Sequence, residues 1–106
     1  MFRALALVLA FAAPAAAQPV SGKKVFEQTC KACHDTGKKD NDAPQLSHTA
    51  DWKERAKAGR AQLYRNSIEG VKGYFEMPPR GGDPNLTDDE VKAAVDYILE
   101  RAAASD

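Results

Sequence analysis

Two cysteines three residues apart, Cys30 and Cys33, are the only thiols in this chain of 106 residues, and a histidine, His34, comes directly after them. Cysteines this close cannot staple distant segments, so a long-range disulfide framework is excluded. At about 100° per residue along a helix, Cys33 lies roughly 60° to one side of Cys30 and His34 roughly 40° to the other. One helix face therefore presents two thiols and an imidazole together. Any fold for this chain must give that face something to hold.

The apolar residues are unevenly spread. The first seventeen, MFRALALVLAFAAPAAA, are almost all apolar, and the rest of the chain is polar. Arg3 is a short positive start, Leu5 to Ala13 an apolar run, and Ala15-Ala16-Ala17 a small-residue cleavage site. Residues 1–17 are thus predicted to be a secretory signal peptide, cut before Gln18. A retained membrane helix is the alternative. Ala4 to Ala17 would span about 21 Å as a helix, short of the ~30 Å hydrocarbon core. No stable membrane anchor is expected, and the alanine-rich leader implies a bacterial periplasm.

Removing 17 of 106 residues leaves 89, read as one domain over 18–106. A core this small usually needs a staple, and without a disulfide framework some other staple, such as a cofactor, is expected. The 15 basic and 15 acidic residues cancel, and losing Arg3 leaves a net charge of −1. Nucleic acid as a partner would demand a basic excess, so none is expected.

The mature part reads as helices joined by long loops. Ser21 is a plausible N-cap for a helix through GKKVFEQTCKAC, with Gly22, Phe26 and Cys30 on one face. Asp35 to Gln45 reads as loop. A second helix passes through Trp52 and Ala56, capped by Thr49 or Asp51, and ends near Gly59. Ala61 to Glu69 is a third, stopped by Gly70. Glycines and prolines make Val71 to Asn85 an ordered loop at best. The last helix is the clearest. Thr87 and Glu90 form a capping box, and Val91, Ala94, Val95, Ile98, Leu99 and Ala102 make an apolar stripe. No segment alternates like a strand, so the fold class is all-α. Loops this long in a small domain need something to pack against.

Cys30-Lys31-Ala32-Cys33-His34 has the C-x-x-C-H pattern of c-type haem attachment. Both thiols can form thioethers with the haem vinyl groups, while the imidazole reaches the iron. A zinc site would need a fourth ligand, and only His48 remains. A thioredoxin-like redox pair would need a βαβ setting that the chain lacks.

CKACH at 30–34, APQL at 43–46, MPPRGG at 77–82 and the capped helix carrying DYILE at 96–100 come in an order that resembles class I c-type cytochromes. Within them the chain is similar to the small bacterial cytochrome c5-like group. That group often has two further cysteines after MPPxGG, where this chain has Asp83-Pro84-Asn85-Leu86. The resemblance implies the cytochrome c fold, short helices and long loops wrapped around one covalent haem c. It implies that His34 and Met77 are the axial iron ligands and that Cys30 and Cys33 carry the haem. Met77 is the only methionine after leader removal, and Pro78 biases it to an extended backbone. His48 is the rival ligand, and a surface position suits its polar neighbours better.

The resemblance further assigns the Pro44 carbonyl to His34's second ring nitrogen, Leu46 to the haem face and the Trp52 indole N–H to a propionate. Arg55 and Arg80 are candidate propionate partners, and Tyr74 and Phe75 candidate shields of the Met77 side. Gly22 and Phe26 against Ala94 and Tyr97 resemble the helix crossing of that fold. The function implied is a monomeric, soluble one-electron carrier, not an enzyme, serving redox partner proteins in a respiratory chain. Lys23, Lys24, Lys31, Lys38 and Lys39 would either steer acidic partners or form a solvated face. A peroxidase-like haem enzyme and a gas-binding module are the alternatives, and both require an open iron site.

Overall fold

A computed structural model describes residues 20–37, 43–73 and 76–104 together with Ala4 and Ala6. Apart from those two alanines, the expected leader lies outside the described residues, as do Lys38, Lys39, Tyr74 and Phe75.

The first helix, α1, covers 22–34. Ser21 caps it, its hydroxyl accepting from the Lys24 N–H at 3.3 Å. The sequence predicts a uniform helix here, and the structure differs. Gly22–Val25 is α-helical, Phe26–Cys30 widens into a π-turn, and Lys31–His34 returns to α geometry. The Lys31 N–H reaches back five residues to the Phe26 carbonyl. A π-turn re-aims the residues after it. Gly22 and Phe26 pack on the last helix, while Cys30 lines a cavity.

Helix α2 is Thr49–Ala56 and α3 is Arg60–Glu69. Neither Thr49 nor Asp51 caps α2. A turn with the His48 N–H on the Gln45 carbonyl at 2.8 Å starts the helix earlier and puts His48 at the cap. Between α3 and the last helix, Val71 and Met77 exchange both backbone hydrogen bonds at 2.9 Å. Among the described residues this isolated bridge is the one β-type pairing, and it is too short for any periodicity to reveal. A tight 3₁₀ turn, Pro79–Gly82, comes next.

The last helix, α4, is Asp88–Ala104. Its capping box is made as predicted. The Glu90 N–H donates to the Thr87 hydroxyl at 3.2 Å, and the Thr87 N–H to the Glu90 carboxylate at 3.1 Å. The predicted stripe faces inward: Val91, Ala94, Val95, Ile98 and Ala102 are buried and Leu99 half-buried. Helix α1 crosses α4 at Gly22, where an added Cβ would stand 2.0 Å from the Ala93 carbonyl oxygen. Only glycine allows that approach. Phe26, 1% exposed, stacks obliquely on Tyr97 with ring centroids 5.3 Å apart. Phe26, Trp52, Ile98 and Ala102 form the core. The fold is all-α, and among the described residues no helix is long and apolar enough to cross a membrane.

Candidate functional site

The four helices, with Val71 and the 76–81 segment, enclose a cavity of about 270 Å³. That is a little under the roughly 300–1,000 Å³ usual for organic ligands. Its apolar wall comes from Val25, Leu63 and the inward stripe of α4. The periodic apolar residues of α4 therefore line a cavity as well as a solid core. Cys30 and His34 enter from α1, and Met77, Arg80 and Gly81 from the loop. Polar groups are few: Arg55, Asn66, Ser67 and Glu76 among them.

His34 is buried at 9% exposure. Its Nδ1 lies 2.9 Å from the Pro44 carbonyl oxygen, and a carbonyl can only accept. Nδ1 therefore carries the proton, which leaves Nε2 its lone pair. Burial lowers the His34 pKa from its ordinary value, the Pro44 hydrogen bond opposes that, and the Arg55 charge lowers it further. The neutral ring with a free Nε2 is the form that binds a metal. Trp52 fixes the ring from the side, with centroids 5.7 Å apart.

Burial first, and the neighbouring Cys33 second, push the Cys30 thiol up to about 11. A redox dithiol needs a thiolate stabilised by its surroundings. Here the surroundings oppose one, so the thioredoxin-like reading loses its chemistry. Cys33 is exposed and stands outside the cavity lining. The zinc reading fails too. His48 is exposed and lies 3.5 Å from Asp51, away from the cavity. Among the described residues no cluster of three His, Cys, Asp or Glu is placed for a metal ion.

Two expected roles change. The Trp52 indole N–H donates to the Gln45 carbonyl at 2.9 Å, so it is committed within the protein rather than to a propionate. The Arg80 guanidinium is likewise engaged, by the Leu86 carbonyl at 3.0 Å and Asp88 at 2.7 Å. Trp52 and Arg55 still line the cavity. Leu46 does not. It packs against the Phe26 and Trp52 core beside the cavity, and its N–H donates to the His34 carbonyl at 2.6 Å. Lys23, Lys24 and Lys31 are exposed along α1.

Gln45 is the residue that sequence reasoning missed. Its side chain is 3% exposed. The amide nitrogen donates to the Cys33 carbonyl at 2.8 Å and the Ala43 carbonyl at 3.0 Å. The amide oxygen accepts from the Thr36 N–H at 2.8 Å. One signal was present: a helix ending at His34 leaves carbonyls to satisfy, and no glycine stands directly after it.

A soft thioether, a neutral imidazole and a half-buried thiol around one apolar cavity suit an iron porphyrin better than a bare ion. Comparison with known proteins decides the matter. Residues 17–98 match the family described as cytochrome C oxidase, cbb3-type, subunit III. The chain is 38% identical over 80 residues to cytochrome c-555 of Chlorobaculum thiosulfatiphilum, covering 74% of this chain and 91% of that protein. The chain belongs to the class I c-type cytochromes.

The same cytochrome is 40% identical over 77 residues to cytochrome c5 of Azotobacter vinelandii, covering 71% of this chain and 87% of that one. A solved structure, an electron transfer complex of nitrite reductase with cytochrome c, superposes with a TM-score of 0.66 at 30% identity. It covers 80% of this chain and 96% of that chain. The cytochrome binds one covalent haem c with its iron and is an electron carrier.

Proposed function

We propose that Cys30 and Cys33 hold the haem by thioethers and that His34 and Met77 are its axial ligands, in a soluble one-electron carrier of the periplasm. The observation that carries this reading is the His34 ring: buried, proton-pinned on Nδ1 by Pro44, and lining an apolar cavity together with Cys30 and Met77. When bound, the haem supplies a one-electron Fe(III)/Fe(II) couple. His34 presents Nε2 as a donor whose basicity the Pro44 carbonyl raises. Met77 presents its Sδ from a backbone pinned by the bridge to Val71. If His34 and Met77 both hold the iron, the protein itself would take the places that peroxide or a gas would need. The apolar walls disfavour the extra charge of the ferric state, and the thioether adds to that preference, so the potential is raised. The carrier is not an enzyme.

The proposed domain is 18–106, exported once residues 1–17 are cleaved, acting as a monomer. Its partners are redox proteins, as the nitrite reductase complex of its structural relative suggests, met through a brief, small contact within a respiratory chain. Lys23, Lys24 and Lys31 would steer acidic partners to it. Electron transfer to such a partner should then slow as ionic strength rises, and a rate indifferent to salt overturns the steering.

The decisive experiment is the absorption spectrum of the haem-loaded protein. Ferric wild type should be low-spin, with the weak long-wavelength band of sulfur-to-iron charge transfer. Met77→Ala should abolish that band. A high-spin ferric wild type without the band would mean an open iron, and peroxide turnover or gas binding would replace the carrier reading.

A further inference from the structure

We propose that Gln45 is the positioning residue for the proximal imidazole, setting the His34–Pro44 hydrogen bond and through it the electron donation of Nε2. The inference rests on His34 being an iron ligand, as proposed above. The Nδ1 acceptor is a loop carbonyl, ten residues along the chain from His34. Nothing in Pro44 itself holds that carbonyl in place. Gln45 does so by three ties. Its amide nitrogen grips the carbonyls of Cys33 and Ala43, residues that directly precede His34 and Pro44. Its amide oxygen takes the Thr36 and Gly37 N–H groups, beyond the end of α1, at 2.8 and 3.3 Å. Its own carbonyl is held by the Trp52 indole, whose ring also packs against His34.

One buried amide thus clamps the end of the helix that carries the ligand to the loop that carries the acceptor. Both amide ends are used, so the side chain has little freedom to rotate. A well-aligned Nδ1–H···O bond gives the ring partial imidazolate character and makes Nε2 the stronger donor, which favours ferric iron. Loosening the clamp should lengthen that bond. The His34 ring proton should exchange faster, and the reduction potential should rise.

The test uses the haem-loaded protein. Gln45→Met keeps the length of the side chain and removes every hydrogen bond of the amide, while the backbone carbonyl keeps the Trp52 indole. Gln45→Glu keeps an acceptor for Thr36 and Gly37 and, ionised, removes both donors to Cys33 and Ala43; it is the second variant where Gln45→Met does not fold. In the reduced state, NMR reads hydrogen exchange of the His34 Nδ1–H. Exchange at least tenfold faster is expected in both variants. The potential should rise in Gln45→Met. It is not compared in Gln45→Glu, where an added carboxylate would itself lower it.

Unchanged exchange in folded Gln45→Glu, or unchanged exchange and potential in folded Gln45→Met, overturns the proposal even if thermal stability falls. Gln45 would then be only a structural residue. Failure of the underlying reading looks different: wild-type ferric protein would lack paramagnetically shifted His34 ring signals.

Discussion

The two sides of the cavity are held by different physics. On the His34 side, side chains do the holding. The Gln45 amide nitrogen, the Trp52 indole N–H and the His34 Nδ1–H each donate to a backbone carbonyl, and the Gln45 amide oxygen accepts from the Thr36 N–H. On the Met77 side, backbone does it. Gly70 sits at φ 81°, ψ 170°, a region open essentially to glycine. Arg80 takes φ 54°, rare for a residue with a Cβ, and a two-residue bridge pins Met77. A network of side chains can be loosened one bond at a time. A loop held by backbone conformation keeps its shape until a residue no longer fits, and then loses it.

The comparison is broken most severely at Gly70. An added Cβ there would stand 2.8 Å from both the Met77 carbonyl oxygen and the Pro79 nitrogen. Those are backbone atoms, which cannot swing aside. Gly70→Ala should cost about 1–3 kcal/mol for the backbone conformation alone, with the clash added. The expected result is loss of the sulfur-to-iron band at a urea concentration where His34 remains bound. If both are lost together, the two sides are one cooperative unit and the contrast between them fails.

The same contrast is sharpened from the other side by Trp52→Phe. The ring against His34 is kept, but the indole bond to the Gln45 carbonyl is lost, and the His48 N–H alone stays on that oxygen. A lost hydrogen bond costs about 0.5–1.5 kcal/mol, and Phe also leaves part of the indole volume empty. The effect should fall on the His34 side: faster exchange of the His34 ring proton, with the charge-transfer band intact at neutral pH. Loss of the band with no change in exchange would reverse the assignment of sides.

This division explains what the sequence disclosed. The helices are legible because amphipathic spacing and caps are local: the Val91 to Ala102 stripe and the Thr87–Glu90 box are complete within one segment. Cys30, His34, Pro44 and Met77 can be picked out because each sits in a short motif. The ties between motifs are not legible. Gln45 is one unremarked amide in a loop, and its partners are backbone atoms, which carry no residue identity. The family resemblance points the Trp52 indole at a propionate, and Arg80 is a candidate by its charge; neither signal contains the carbonyls within reach of these side chains. The π-turn at Phe26–Cys30 is hidden for a related reason, since its residues keep the apolar spacing of an ordinary helix.

The smallest effect expected is at Asp88, and it tests whether the Met77 side truly depends on backbone. Asp88 takes the Arg80 guanidinium at 2.7 Å, with the carboxylate 59% exposed and the arginine 28%. If side chains clamped this loop as Gln45 clamps the other, that ion pair would be the clamp. An ion pair so exposed contributes only about 0–1 kcal/mol and is screened by salt. Arg80 would also keep its bond to the Leu86 carbonyl. Asp88→Asn should therefore lower stability by no more than ~0.5 kcal/mol, allowing for the weaker charge at the start of α4. The urea concentration that removes the charge-transfer band should stay within error of wild type at high salt. A marked fall in that midpoint, erased by salt in the wild type, would make Arg80–Asp88 a clasp. Both ligands would then be held by side chains.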